Sequence, residues 1–155
     1  MNIEKCARRI SRKHIGKITV SNVSTYLHKE KGYRVLYIGT PSGDDAIQKY
    51  CLQAYIKRKS FTYSDKSKFV FLHNEHDNDD KLSLLLHELG HIELGHLSVA
   101  HDPDCINTER QAEVFAYFMQ HPYIGINKKM LWFAIISSVV AALSFIYSIL
   151  LIVKG

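Results

Sequence analysis

His87-Glu88-Leu89-Gly90-His91 is the segment of this 155-residue chain whose residue types and spacing could do chemistry. A four-residue step is about one helical turn, so on a helix both imidazoles project from one face and can share a metal ion. Glu88 lies about 100° around the helix from His87, close enough to reach a water on that ion without binding the metal itself. Zinc held by two imidazoles and one further protein ligand, with one position open, lowers the pKa of a water toward neutrality. Glu88 would take that water's proton and pass it to a leaving amine, which is the chemistry of amide hydrolysis. His87 and His91 are therefore the expected ligands of one zinc ion, and Glu88 the expected catalytic base.

The third ligand has to be sought among His96, His101, Asp102, Asp104, Glu109 and Glu113. A metzincin would carry Gly seven residues after its first His and a third His at the tenth, where this chain has Leu94 and Leu97. His96 would need a sharp turn soon after His91. The helix is expected to continue through it, so His96 reads as a helix-end residue or as a support for a ligand. Glu109 and Glu113 stand i,i+4 on the following helix, where one can bind zinc while the other orients an imidazole.

These residues need elements to hold them. The spacing of Ile3, Cys6, Ala7, Ile10 and His14 predicts a short amphipathic helix over 3–18, and a second helix is expected over 20–31, stopped by Gly32. Residues 33–38 read as a strand. Thr40, Pro41 and Gly43 mark a break, and a helix is expected over 44–59 with Lys57, Arg58 and Lys59 in its last turn. Residues 61–63 and 68–73 read as a hairpin, the second strand of which is expected at a sheet edge just before the zinc helix. The run from His76 to Asp80 supplies candidate caps for that helix, placed at 81–97. Thr108 to Gln111 fits a capping box opening a last helix, which runs to about His121 before Pro122.

The charge balance is +5, from 20 Lys and Arg against 15 Asp and Glu. The excess divides into two clusters, Lys5 to Lys17 and Lys57 to Lys59, rather than one long basic run, and reads as solvated surface. Direct nucleic-acid binding is therefore not expected. Cys6, Cys51 and Cys105 are widely separated and form no CxxC pair, so they read as free thiols in a reducing compartment. No apolar core of a secretory signal follows the N-terminal charges, which places the folded part in the cytoplasm.

The run His87, Glu88, Gly90, His91 and His96, followed by Glu109, Ala112, Phe115 and Ala116 in the pattern Glu-x-x-Ala-x-x-Phe-Ala, resembles the ImmA/IrrE family of metallopeptidases. The likeness covers about residues 20–120 and includes Gly32 to Val35 and the passage from Phe69 to His73 into the zinc helix. It implies a gluzincin-like fold and assigns the third ligand to Glu109. Members commonly carry Asn or Asp where this chain has Glu113, whose longer side chain could keep an orienting role. The resemblance also implies a peptidase of bacteria or their mobile elements, often acting on a helix-turn-helix transcriptional repressor.

From Met130 to Val153 the chain carries no charge. About 20 apolar residues suffice to cross a bilayer core, and Trp132 and Tyr147 lie near opposite ends, where amphipathic rings favour the interface. Lys128 and Lys129 precede this run and Lys154 follows it, which predicts that the preceding domain stays in the cytoplasm. The expected organisation is a basic, helical N-terminal segment at 1–19, a metallopeptidase domain at 20–122, a linker at 123–129 and a transmembrane helix at 130–153. The expected fold class is α+β: a mostly helical zincin-like domain with a small sheet, plus one C-terminal transmembrane helix. The expected function is that of a membrane-tethered zinc metalloendopeptidase whose partners are a protein substrate and the lipid bilayer. The competing reading is a non-catalytic, zinc-stabilised module that binds or senses.

Overall fold

The structure, a computed structural model, describes residues 2–98 and 106–121. The segments expected at 123–129 and 130–153 lie outside the described residues, as do His101, Asp102 and Asp104. Among the described residues no helix is long and apolar enough to cross a membrane.

The described residues form five α-helices and three strands: α1 (Ile3–Ile10), α2 (Val20–Tyr26), β1 (Arg34–Ile38), α3 (Pro41–Lys49), β2 (Ser60–Tyr63), β3 (Phe69–His73), α4 (Asn78–Leu94) and α5 (Ile106–Gln120). The first four helices begin at side-chain caps that satisfy an otherwise orphaned backbone N–H. Asn2 accepts from the N–H of Lys5, Thr19 from that of Asn22, Thr40 from that of Gly43 and Asp77 from that of Asp80. Both α1 and α2 continue into a wider final turn, over Ser11–Ile15 and Leu27–Lys31. The second ends at Gly32, whose φ of 74° suits glycine.

Several elements begin or end elsewhere than the sequence suggests: α4, expected over 81–97, spans Asn78–Leu94. Thr40 and Pro41, read as a break, open α3 as its cap and first residue, because proline's missing N–H costs nothing there. That helix stops at Lys49, before Cys51 at φ 56°, so Lys57, Arg58 and Lys59 lie beyond it. Thr108 lies inside the first turn of α5, which begins at Ile106.

The sheet order is β1-β3-β2, with β1 parallel and β2 antiparallel to β3. β3 is thus central rather than an edge, and β2 is the edge strand. The composition of β3 explains this, since Phe69, Val70, Phe71 and Leu72 are all buried, as a strand covered on both faces requires. Val70 and Leu72 join the main core with Leu85, Leu86 and Leu89 of α4, Phe115 and Met119 of α5, and Cys6, Ala7 and Ile10 of α1. Phe69 and Phe71 face a second cluster with Ile38, Ile47, Leu52 and Phe61. The cross-strand partners Phe61 and Phe71 stack with ring centroids 4.7 Å apart.

α4 and α5 approach closely at Gly90, where a Cβ would stand 3.0 Å from the Ala112 Cα and 3.1 Å from its carbonyl oxygen. Glycine and alanine at this crossing let the two backbones approach. Gly90→Val is expected to force α5 away and cost about 1–3 kcal/mol of stability by overpacking. It should weaken metal binding too, because Glu109 moves with α5. A variant that keeps the wild-type urea midpoint and metal affinity would contradict this close packing.

Candidate functional site

α4 ends at Leu94, and Gly95 takes the left-handed conformation at φ 76° that closes a helix. His87 and His91 lie one turn apart on the half-buried, cleft-lining side of its C-terminal half, away from buried Leu85, Leu86 and Leu89. Glu109 reaches them from the first turn of α5. His87 Nε2 lies 3.0 Å from His91 Nε2 and 3.1 Å from Glu109 Oε2, and His91 Nε2 lies 3.5 Å from Glu109 Oε1. Among the described residues, His87, His91 and Glu109 are the group of His, Cys, Asp and Glu side chains whose donor atoms all lie within 4.8 Å of one another and could hold a metal ion.

The chemistry of this donor set fits zinc. Two imidazoles and one carboxylate are a catalytic zinc set that leaves a fourth position open. Ligand atoms placed ~2.0–2.1 Å from a tetrahedral ion stand about 3.3 Å apart, close to the separations found here. Glu113, the other acidic side chain considered on α5, lines the same cleft but is not in that group.

The termination of α4 changes the position of His96. The helix does not continue through it; after Gly95 the chain turns into a short 3-10 segment, His96–Ser98. His96 Nδ1 then lies 3.1 Å from His91 Nδ1, and its Nε2 lies 3.1 Å from Gln111 Oε1. With His91 Nε2 kept free as a donor atom, its proton sits on Nδ1 and is donated to His96 Nδ1. His96 in turn carries its own proton on Nε2 and donates it to Gln111. His96 and Gln111 thereby fix the orientation and tautomer of a prospective ligand.

Glu88, about 100° around α4 from His87, is only 6% exposed and lines the same cleft. Its carboxylate lies beneath the edge strand, where Oε1 accepts from Ser60 Oγ at 2.7 Å and Oε2 from Thr62 Oγ1 at 2.6 Å. Burial pushes its pKa above the ordinary carboxylate value. The hydroxyls of Thr62 and Ser60 and the nearby His87 oppose that rise, while Glu109 adds to it.

Burial also pushes the His91 imidazole from its ordinary 6.5 down to about 4; His87 and His96 act in the same direction and Glu109 in the opposite one. A neutral imidazole is the form that binds a metal. The unfolded chain takes up this proton near pH 6.5 and the folded chain only near pH 4, so between these values the unfolded state binds more protons. Stability of the metal-stripped chain is therefore expected to fall as the pH drops across that window. Thermal melts over this pH range should show a smaller fall for His91→Gln than for the wild type; equal falls would exclude His91 as the cause.

The sequence alone did not point to Ser60, Thr62 or Gln111. An alternating strand pattern was the available signal for the first two, and it identifies a face without saying which helix lies against it. All of these groups except Gln111 line one cleft of about 1170 Å³, which runs along β2 past His87, Glu88 and His91 to Glu109. The family model described as the IrrE N-terminal-like domain, peptidase M78, matches residues 48–132, more than half of the chain. No curated protein matches, and no solved structure does.

Proposed function

Because the chain belongs to the peptidase M78 family of IrrE N-terminal-like domains, we propose that it is a zinc-dependent metalloendopeptidase with His87, His91 and Glu109 as metal ligands and Glu88 as general base. The observation that carries this reading is the convergence of two imidazoles and one carboxylate at the mouth of a cleft that also contains a buried glutamate. Zinc bound there would supply Lewis-acid chemistry and make a water more acidic. The chain's own residues supply the rest. Glu88 receives the proton of the attacking water on its carboxylate and delivers it to the nitrogen of the departing amine. His96 and Gln111 keep His91 in the tautomer that presents Nε2. β2 lies at the edge of the sheet beside the cleft, where an extended peptide can pair with it as an added strand.

In this reading the substrate is a cytoplasmic protein, and the resemblance to ImmA/IrrE peptidases points to a helix-turn-helix repressor. The uncharged run 130–153 tethers the enzyme to a membrane with the catalytic domain on the cytoplasmic face. The full-length chain should then fractionate with membranes, resist extraction by salt and remain open to protease added from the cytoplasmic side. Co-expression of Glu88→Gln with the proteins of its host should retain a substrate uncut, and the wild-type chain should cleave that protein in a chelator-sensitive manner. A zinc-loaded wild-type chain that leaves every retained protein intact would favour the non-catalytic module instead.

A further inference from the structure

Glu88 is one of two buried polar residues among those described, the other being Ser11. A buried carboxylate without donors would be costly, and here each oxygen has one. Both donors come from β2. Along that strand Ser60 and Thr62 alternate with Phe61 and Tyr63. The period of two turns the hydroxyls toward α4 and the rings toward the aromatic cluster on the other face. Ser60 pairs with Leu72 and Thr62 with Val70, so the register against the central strand fixes where the hydroxyls stand. Two donors on two separate oxygens restrict rotation of the carboxylate about its terminal bond, which a single donor would not do.

We propose that Ser60 and Thr62 are positioning residues that clamp the Glu88 carboxylate in one orientation and tie it to the edge strand of the cleft. For the use made of that orientation, the inference rests on the peptidase reading. The clamp itself is a property of the metal-free fold. A base misplaced by about 1 Å can lose on the order of 10²-fold in rate while the binding surface for a peptide remains. Neither hydroxyl is a metal ligand, so zinc affinity is not expected to depend on them.

The test uses the full-length chain in mild detergent, with Ser60→Ala, Thr62→Val and the double variant made in the wild-type and Glu88→Leu backgrounds. Urea unfolding of the metal-stripped proteins closes a cycle. Removing both hydroxyls should change the unfolding constant at least ~10-fold more when Glu88 is present than when it is leucine, as expected for hydrogen bonds to a charged group. Additive effects would overturn the clamp. Zinc titration should give the wild-type affinity for the double variant; a loss of ~10-fold or more, of the size seen when a partner of a ligand is removed, would assign the hydroxyls to the metal site instead. With fluorescently labelled casein as the probe, kcat should fall ~10–100-fold with little change in KM, and Thr62→Ser should recover the loss caused by Thr62→Val. A double variant with wild-type kcat would overturn the positioning role. If the wild-type chain fails to cut casein and every retained cellular protein, the peptidase reading fails, and the urea cycle still decides whether the clamp exists.

Discussion

A chain carrying His87→Ala and His91→Ala together is expected to purify without zinc, and the wild type with one zinc per chain. The two imidazoles supply two of the three protein donor atoms within 4.8 Å of one another, and a lone carboxylate on an exposed helix does not hold zinc against buffer and water. The loss should far exceed the ~10–100-fold in affinity that removal of an outer hydrogen-bond partner such as His96 would cause. Metal analysis by mass spectrometry settles it. Full zinc occupancy in the double variant would overturn the assignment. Tight binding retained in Glu109→Ala would move the third ligand to Glu113, which lines the same cleft, or to His96, which already touches His91.

The second large effect separates a group that binds metal from one that moves a proton. Glu88→Gln is expected to leave zinc content near wild type while lowering peptide hydrolysis by about 10²–10⁴-fold, the usual range for loss of acid–base catalysis. The amide can still accept from one hydroxyl of β2 and occupies nearly the same volume, so the fold is retained. It cannot accept the proton of the attacking water. Hydrolysis should be followed with the natural partner co-expressed, because such a peptidase can be silent until its substrate is present. A variant that keeps most of its activity would show that another residue is the base. A variant that loses zinc would show that Glu88 is needed to build the site.

Much of the site was legible because its signals are local. The four-residue spacing of His87 and His91 is a property of a single helix, and the acidic run before α4 contains the Asp77 cap. What stayed hidden depends on contacts between distant segments. β3 reads as an edge strand until its parallel pairing with β1, some 35 residues earlier in the chain, makes it central. The fold-back of His96 depends on Gly95, a helix-stop residue whose left-handed conformation ends α4 just before it. Thr40 and Pro41 fit a break and equally fit a cap and first helical residue, and only packing against β1 decides between the two. The hydroxyls on Glu88 required knowing which helix lies over β2, which no strand pattern contains.

Whether two imidazoles and a carboxylate hold zinc in this chain is read from the zinc K-edge absorption of the purified protein, which needs no substrate. The expected spectrum shows about four nitrogen and oxygen neighbours at ~2.0–2.1 Å, with the outer scattering of two imidazole rings, and it loses those rings in the His87→Ala/His91→Ala chain. Sulfur neighbours at ~2.3 Å would place the metal on the cysteines of the chain, and a wild-type protein without zinc would leave the donor set without its ion; either result contradicts the account.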